Sequence, residues 1–254
     1  MFAAARDAIA GGLVRANVKP NTLTITGVFI TSAAGVCYAL AGESFAWNLR
    51  PWADANAYLL LAGALLILSA ACDMLDGTVA RMGGANTRLG AMLDSTLDRF
   101  SDFVVFAGIA VHYAHAGNLT FVLLAMLAFF WGFMISYIRA RAENLVSQCK
   151  GGYWQRGERF AAVLIGTFAY NVPALVLQQA VLPMLTVARR LSEARALILD
   201  RPVVTDVRTQ GWSYRIRLWR WPRMSWPYDI VTGLNIAWLI FAQIDPVDLL
   251  RRLG

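Results

Sequence analysis

The sequence predicts an all-α integral membrane protein, with six transmembrane helices preceded by a short amphipathic surface helix and followed by an extra C-terminal tail. Of the 254 residues, 58% are hydrophobic and only 15% charged, and the mean hydropathy is +0.50. Apolar segments long enough to cross about 30 Å of hydrocarbon recur along the chain. The links between them are short, and no hairpin-rich strand pattern competes.

Residues 2–16 are Ala-rich and carry Arg6, Asp7 and Arg15 beside apolar Phe2, Ile9 and Leu13, which suits a helix lying on a membrane surface. Lys19-Pro20-Asn21-Thr22 then opens the first span, with proline at a tolerated position and Asn or Thr free to cap backbone N–H groups. Spans are expected near residues 22–41, 57–76, 89–113, 119–139, 160–170 and 174–190. The fifth is short and joins the sixth through the tight turn at Asn171-Val172-Pro173. The chain divides into a juxtamembrane helix (1–19), a six-helix domain (20–199) and a membrane-associated extension (200–254). Within the extension, residues 211–222 alternate aromatic and basic side chains. That pattern fits an anionic lipid surface, and it also has the period-two look of a short strand. The apolar run 230–244 is short for a span and reads as a surface or re-entrant helix.

Charge sets the expected orientation. Arg15, Lys19, Arg81, Arg88, Arg139, Arg141, Lys150, Arg156, Arg159, Arg189, Arg190 and Arg195 fall in alternate connections or at their edges, and the other connections hold almost none. The positive-inside rule then places the protein in the cell (inner) membrane as a multi-pass chain with both termini cytoplasmic. The net charge of +7 is carried beside the spans, where it meets lipid head groups and phosphates, so no nucleic-acid partner is implied. Cys37, Cys72 and Cys149 have neither paired nor metal-type spacing. Cys72, although next to Asp73, reads as a small buried hydrophobe. His112 and His115 lie at the far end of the third span, away from the acids.

Four aspartates dominate the chain. Asp73 and Asp76 end the second apolar run; Asp94 and Asp98 begin the third. Residues three or four apart share a helix face, so each pair projects together. Gly83-Gly84 and the polar run Asn86-Thr87-Arg88 break the chain between them, which lets the two pairs converge on one point. Intramembrane acids mark function by default. An all-carboxylate cluster suits magnesium or manganese, and it is the ligand set of a two-metal site on a phosphoryl substrate. Helix-terminal acids paired with Arg81, Arg88 and Arg99 are the plainer alternative. Gly77, Ala80 and Gly90 allow close approach to the backbone, by a flat ligand or by a neighbouring helix.

The arrangement D-x2-D-G-x2-A-R-x8-G-x3-D-x3-D, met here from Asp73 to Asp98, resembles the signature of the CDP-alcohol phosphotransferase family of membrane enzymes. The resemblance implies transfer of a phosphatidyl-type group from a CDP-linked lipid to an alcohol, with release of CMP, and a homodimer. It implies magnesium or manganese, two ions per site, on Asp73, Asp76, Asp94 and Asp98, with Asp98 also the catalytic base. It assigns Pro20, Asn21, Thr24, Asp73, Gly77, Ala80, Arg81, Thr87 and Gly90 to the CDP-lipid.

The acceptor is suggested by a second segment. Ser136-Tyr137-Ile138-Arg139, then Glu158-Arg159, then Arg189-Arg190 put guanidinium groups, which match phosphate oxygens well, near one mouth of the bundle. The stretch is similar to the phosphatidylinositol-phosphate synthase branch and its archaeal ether-lipid counterpart. By that likeness Arg139, Arg159 and Arg190 grip the phosphate of a phosphorylated polyol, inositol 1-phosphate, with glycerol 3-phosphate the alternative acceptor. An ion- or proton-coupled transporter is the rival from another class. It predicts charges strung through the bilayer depth and inverted repeats, and the chain has neither pattern.

Overall fold

A computed structural model describes residues 2–41, 56–84, 87–146, 149, 151–199, 221 and 223–252. Among these residues the fold is entirely helical. The elements are α1 (Phe2–Arg15), α2 (Pro20–Leu40), α3 (Ala57–Met82), α4 (Arg88–His115), α5 (Leu119–Glu143), α6 (Arg156–Phe168), α7 (Val172–Val181), α8 (Pro183–Ile198) and α9 (Trp226–Phe241), with a short 3-10 turn at Leu250–Arg252. The readings made on Asn86 and Lys150, and on 211–222 apart from Trp221, lie outside the described residues.

Among the described residues, four helical stretches are long and apolar enough to cross a membrane: α2, α3, α5 and Val172–Ile198. The last comprises α7 and α8, which meet at Leu182 in right-handed helical geometry (φ −71°, ψ −35°). Pro183 begins α8 there and, having no N–H, leaves one rung out of the helical ladder. α4 carries Arg88, Asp94, Asp98, Arg99 and Asp102, and α6 is only 13 residues long. Among the described residues the chain is therefore helical, with four helices able to span a membrane by length and composition.

Polar caps define the helix starts. Lys19 is extended and Pro20 is the first helical residue of α2, where its missing N–H costs nothing. Asn56 accepts from the N–H groups of Tyr58 and Leu59 at the start of α3, and Thr87 accepts from Gly90 at the start of α4. Asn118 accepts from Phe121 on α5, and Asn171 from Ala174 on α7. α3 stops at Gly83, and Gly84 follows in the left-handed region at φ +64°.

The described residues form two compact units, the first from residues 2–41 and 56–112 and the second from residue 113 onward. In the first, α2 and α3 pack together through small residues. The Thr31 and Ser69 hydroxyls lie 2.6 Å apart, and each oxygen lies 3.0 Å from the Gly27 carbonyl, so one hydroxyl donates to the other and the second donates to that carbonyl. A Cβ on Gly27 would sit 3.4 Å from the Cys72 Cβ, so Cys72 packs as a small side chain. α4 meets α2 closely enough that a Cβ on Gly108 would fall on the Gly35 carbonyl. α1 rests on the end of α3, with Gly11 facing Met82.

In the second unit α5 packs against α7 and α8, and α9 against α6 and α7. Tyr113 is buried and lies 4.9 Å from the Phe121 ring. The closing segment reaches the start of α5, where Asn118 Nδ2 donates to the Pro246 carbonyl.

Candidate active site

Asp73 and Asp76 lie on one face of the last turns of α3. The break at Gly83-Gly84 lets the chain turn, and α4 brings Asp94 back to the same place. Asp73, Asp76 and Asp94 each offer a carboxylate oxygen, and the three oxygens lie within 4.8 Å of one another. Asp76 is the most enclosed, at 6% exposure. Thr24 on α2 donates to Asp76 Oδ2 at 2.6 Å, while its hydroxyl also lies 3.2 Å from the Pro20 carbonyl. Three carboxylates gathered this tightly repel one another strongly in a poorly solvated place. Oxygen-only donors in this arrangement fit a hard divalent cation.

Asp98 sits one turn beyond Asp94, buried at 9% exposure. It is not part of the three-carboxylate group, and its Oδ2 lies 3.7 Å from Arg99 Nη2.

Residues expected to contact the nucleotide gather nearby. A Cβ on Gly90 would sit 3.1 Å from Thr87 Oγ1 and 3.6 Å from Asn21 Oδ1. Asn21, Thr87 and Gly90 are therefore neighbours. Arg81 folds back along α3, donating to Thr78 Oγ1 at 3.1 Å, and its Nη1 lies 3.4 Å from where a Gly77 Cβ would be. Glycine at 77 leaves the space that this guanidinium crosses. Pro20 and Ala80 occupy α2 and α3 at the same end.

In the second unit Arg139, Arg159 and Glu193 are the charged side chains around Arg190. Arg139 is exposed on α5 and bonds Glu143 at 2.9 Å, one turn away. Arg159 is buried, with Nη1 donating to the Trp154 carbonyl at 3.4 Å. A Cβ on Gly132 would come within 3.2 Å of its Nε, so that glycine makes room for it. Arg190, only 2% exposed, donates to the carbonyls of Gly151 at 3.1 Å and Ile135 at 2.5 Å. Two of the three arginines thus also hold backbone.

Sequence reasoning missed the latch that shapes this region. Glu193 Oε2 accepts from the Gly151 N–H at 2.6 Å, and Thr186 Oγ1 accepts from Trp154 N at 3.1 Å. Gly152 has φ +98°, and any Cβ there would strike Thr186. The Gly151-Gly152 pair was the available signal, since paired glycines mark a backbone turn.

The family model for CDP-alcohol phosphatidyltransferase matches residues 17–192. The chain belongs to that family. Among its relatives, the phosphatidylinositol phosphate synthase of Mycobacteroides abscessus is 35% identical over 202 residues, 76% of this chain and 85% of the relative. The archaetidylinositol phosphate synthase of Methanothermobacter thermautotrophicus is 37% identical over 155 residues, 61% of this chain and 69% of the relative. The crystal structure of Mycobacterium tuberculosis phosphatidylinositol phosphate synthase with CDP-DAG bound superimposes with a TM-score of 0.64 at 29% identity, covering 79% of this chain and 96% of that one. A second structure of that protein, in complex with manganese and citrate, gives the same TM-score and covers 92% of that chain. This family member is thus a membrane-embedded transferase. Its acidic cluster fits divalent-metal use.

Proposed function

We propose that this chain makes a phosphatidylinositol-type phosphate lipid by transferring the phosphatidyl group of CDP-diacylglycerol to a hydroxyl of inositol 1-phosphate, releasing CMP. The observation that carries the reading is the convergence of Asp73, Asp76 and Asp94 in a chain of this family. The names of its relatives support the inositol-phosphate acceptor.

Asp73, Asp76 and Asp94, with Asp98 completing the set, would hold two Mg2+ or Mn2+ ions, which would supply positive charge against the pyrophosphate during transfer. Thr24 orients the Asp76 carboxylate. Pro20, Asn21, Gly77, Ala80, Thr87 and Gly90 form the CDP-lipid surface, and the Arg81 guanidinium faces the phosphate charge that grows on the departing CMP. Asp98 takes the proton of the acceptor hydroxyl as its oxygen bonds to phosphorus and the bond to CMP breaks. Arg139, Arg159 and Arg190 hold the acceptor phosphate; Arg190 has five N–H donors, so its two carbonyl contacts leave others available.

The working protein is a homodimer in the cell (inner) membrane. Residues 1–19 lie on the surface and 20–199 form six spans, counting α4 and α6. Residues 200–254 are a membrane-associated extension. The arginine-bearing connections and the acidic cluster face the cytoplasm, a reading supported by the charge asymmetry.

The direct test supplies purified protein with CDP-diacylglycerol and magnesium, and follows CMP release. Inositol 1-phosphate should outpace glycerol 3-phosphate, inositol and serine. Preference for glycerol 3-phosphate would replace the acceptor assignment, and no CMP with any acceptor would sink the reading.

A further inference from the structure

The family match ends at residue 192, so α9 lies outside it, and its two faces are inverted relative to a helix on a water-soluble protein. Tyr228, Thr232, Asn235 and Leu239 point inward. Tyr228 OH donates to Glu158 Oε1 at 2.7 Å, Thr232 shares a 2.9 Å contact with the Tyr153 hydroxyl, and Asn235 Oδ1 accepts from Gln178 at 3.0 Å. Trp226, Ile230, Leu234, Trp238 and Phe241, spaced at four and three residues, form the exposed face. Polar contacts inside and bulky apolar groups outside suit a hydrocarbon surround. A helix lying in the interface needs a charged face toward water, and α9 has only Asp229.

Direction is set at both ends. Near its start α9 bonds Glu158, in the first turn of α6. At its end Asn171 Nδ2, just past α6, donates to the carbonyls of Leu239 at 2.9 Å and Ala242 at 2.7 Å. α9 therefore runs parallel to α6 for its full length. The chain continues to the α5 start, where Asp248 accepts from Thr120 Oγ1 at 2.7 Å. The α6 start lies beside Gly132 of α5 through Arg159, and the loop just before α6 lies beside Ile135 of α5 through Arg190, which bonds both Gly151 and Ile135. From Asn118 to Ile135 is about 25 Å along a helix at 1.5 Å per residue, most of the hydrocarbon thickness.

We infer that α9 is a further membrane-crossing helix whose outer face contacts lipid acyl chains, and that it carries the C terminus to the side where α5 begins. Charge agrees. Arg201, Arg208, Arg215, Arg217, Arg220 and Arg223 precede α9, whereas Asp245 and Asp248 offset Arg251 and Arg252 after it. By the positive-inside rule the starting end of α9 is cytoplasmic and its closing end is not. This differs from the sequence expectation of a surface helix with both termini cytoplasmic.

The test uses the full chain with alkaline phosphatase or a green fluorescent protein fused after Gly254, in a bacterial inner membrane. Phosphatase should be active and fluorescence lost, since each reporter matures on only one side. A Gly254→Cys variant should react with a membrane-impermeant maleimide from outside intact cells. Bright fluorescence with silent phosphatase, or labelling only after the membrane is opened, overturns the proposal. Neither readout requires activity, so it fails or survives independently of the acceptor assignment.

Discussion

Thr24 Oγ1 donates to Asp76 Oδ2 at 2.6 Å, joining the first turn of α2 to the most buried acid of α3. The bond fixes which way that carboxylate points before any cation arrives. Hydrogen bonds to charged groups contribute about 1.5–3 kcal/mol. Thr24→Val, which keeps the shape and loses the donor, should raise the magnesium concentration needed for half-maximal CMP release roughly tenfold or more. A magnesium titration checks it; an unchanged midpoint means the hydroxyl does not position the acid.

Asp98 lies one turn beyond Asp94, outside the three-carboxylate group, and as the proposed base it takes the proton of the acceptor hydroxyl. Asp98→Asn should lower turnover by about 10²–10⁴-fold and leave CDP-diacylglycerol binding measurable by calorimetry. Complete loss of binding counts against the base role.

The three acceptor arginines should separate by experiment. Arg139→Ala removes an exposed side chain with one local partner, so it should raise the KM for inositol phosphate while unfolding temperature holds. Arg190→Ala removes the donor to two buried carbonyls, and each unsatisfied group costs about 1–3 kcal/mol. Thermal unfolding in detergent should show a large loss for Arg190→Ala and none for Arg139→Ala.

Gly108→Ala places a methyl on the Gly35 carbonyl. Overpacking of this kind costs about 1–3 kcal/mol, and a lowered unfolding temperature should report it. Wild-type stability in that variant would mean α2 and α4 are not in such close contact.

Acid should loosen the closing segment. Hydrogen bonds from Thr120 Oγ1 and from the N–H groups of Leu119, Thr120 and Arg251 hold the Asp248 carboxyl below its ordinary value of 3.8. A carboxyl lowered in this way stabilises the fold when ionised, so its contribution is complete above 3.8 and fades as pH falls below it. Protection of the Leu119 and Thr120 amides, measured against free-peptide exchange at the same pH, should fall there, and Asp248→Asn should remove that change.

Much of the site was legible because its signals are local. Asp73 and Asp76 share a face by helical spacing alone, and Gly83-Gly84 announces the turn that returns Asp94. The caps Asn118 and Asn171 could be read in the same way, since a capping bond reaches only three residues. Arg190 was visible as a charge, but its two backbone acceptors were not, because Gly151 and Ile135 are distant in sequence. Asp98 showed the complementary limit, for sharing a helix face with Asp94 four residues away does not tell which carboxylates lie within 4.8 Å of one another.

By itself the sequence determined an all-helical membrane chain, the family and the residues able to gather a divalent cation, because apolar run length and helical periodicity act over a few residues. Tertiary structure alone decided that Thr24 aims Asp76, that Glu193 pins the loop before α6, and that α9 lies along α6. Residues 230–244 are too short to announce a crossing by hydropathy. Their place is set by polar partners 57 to 79 positions away, and contacts at that separation exist only once the helices have packed.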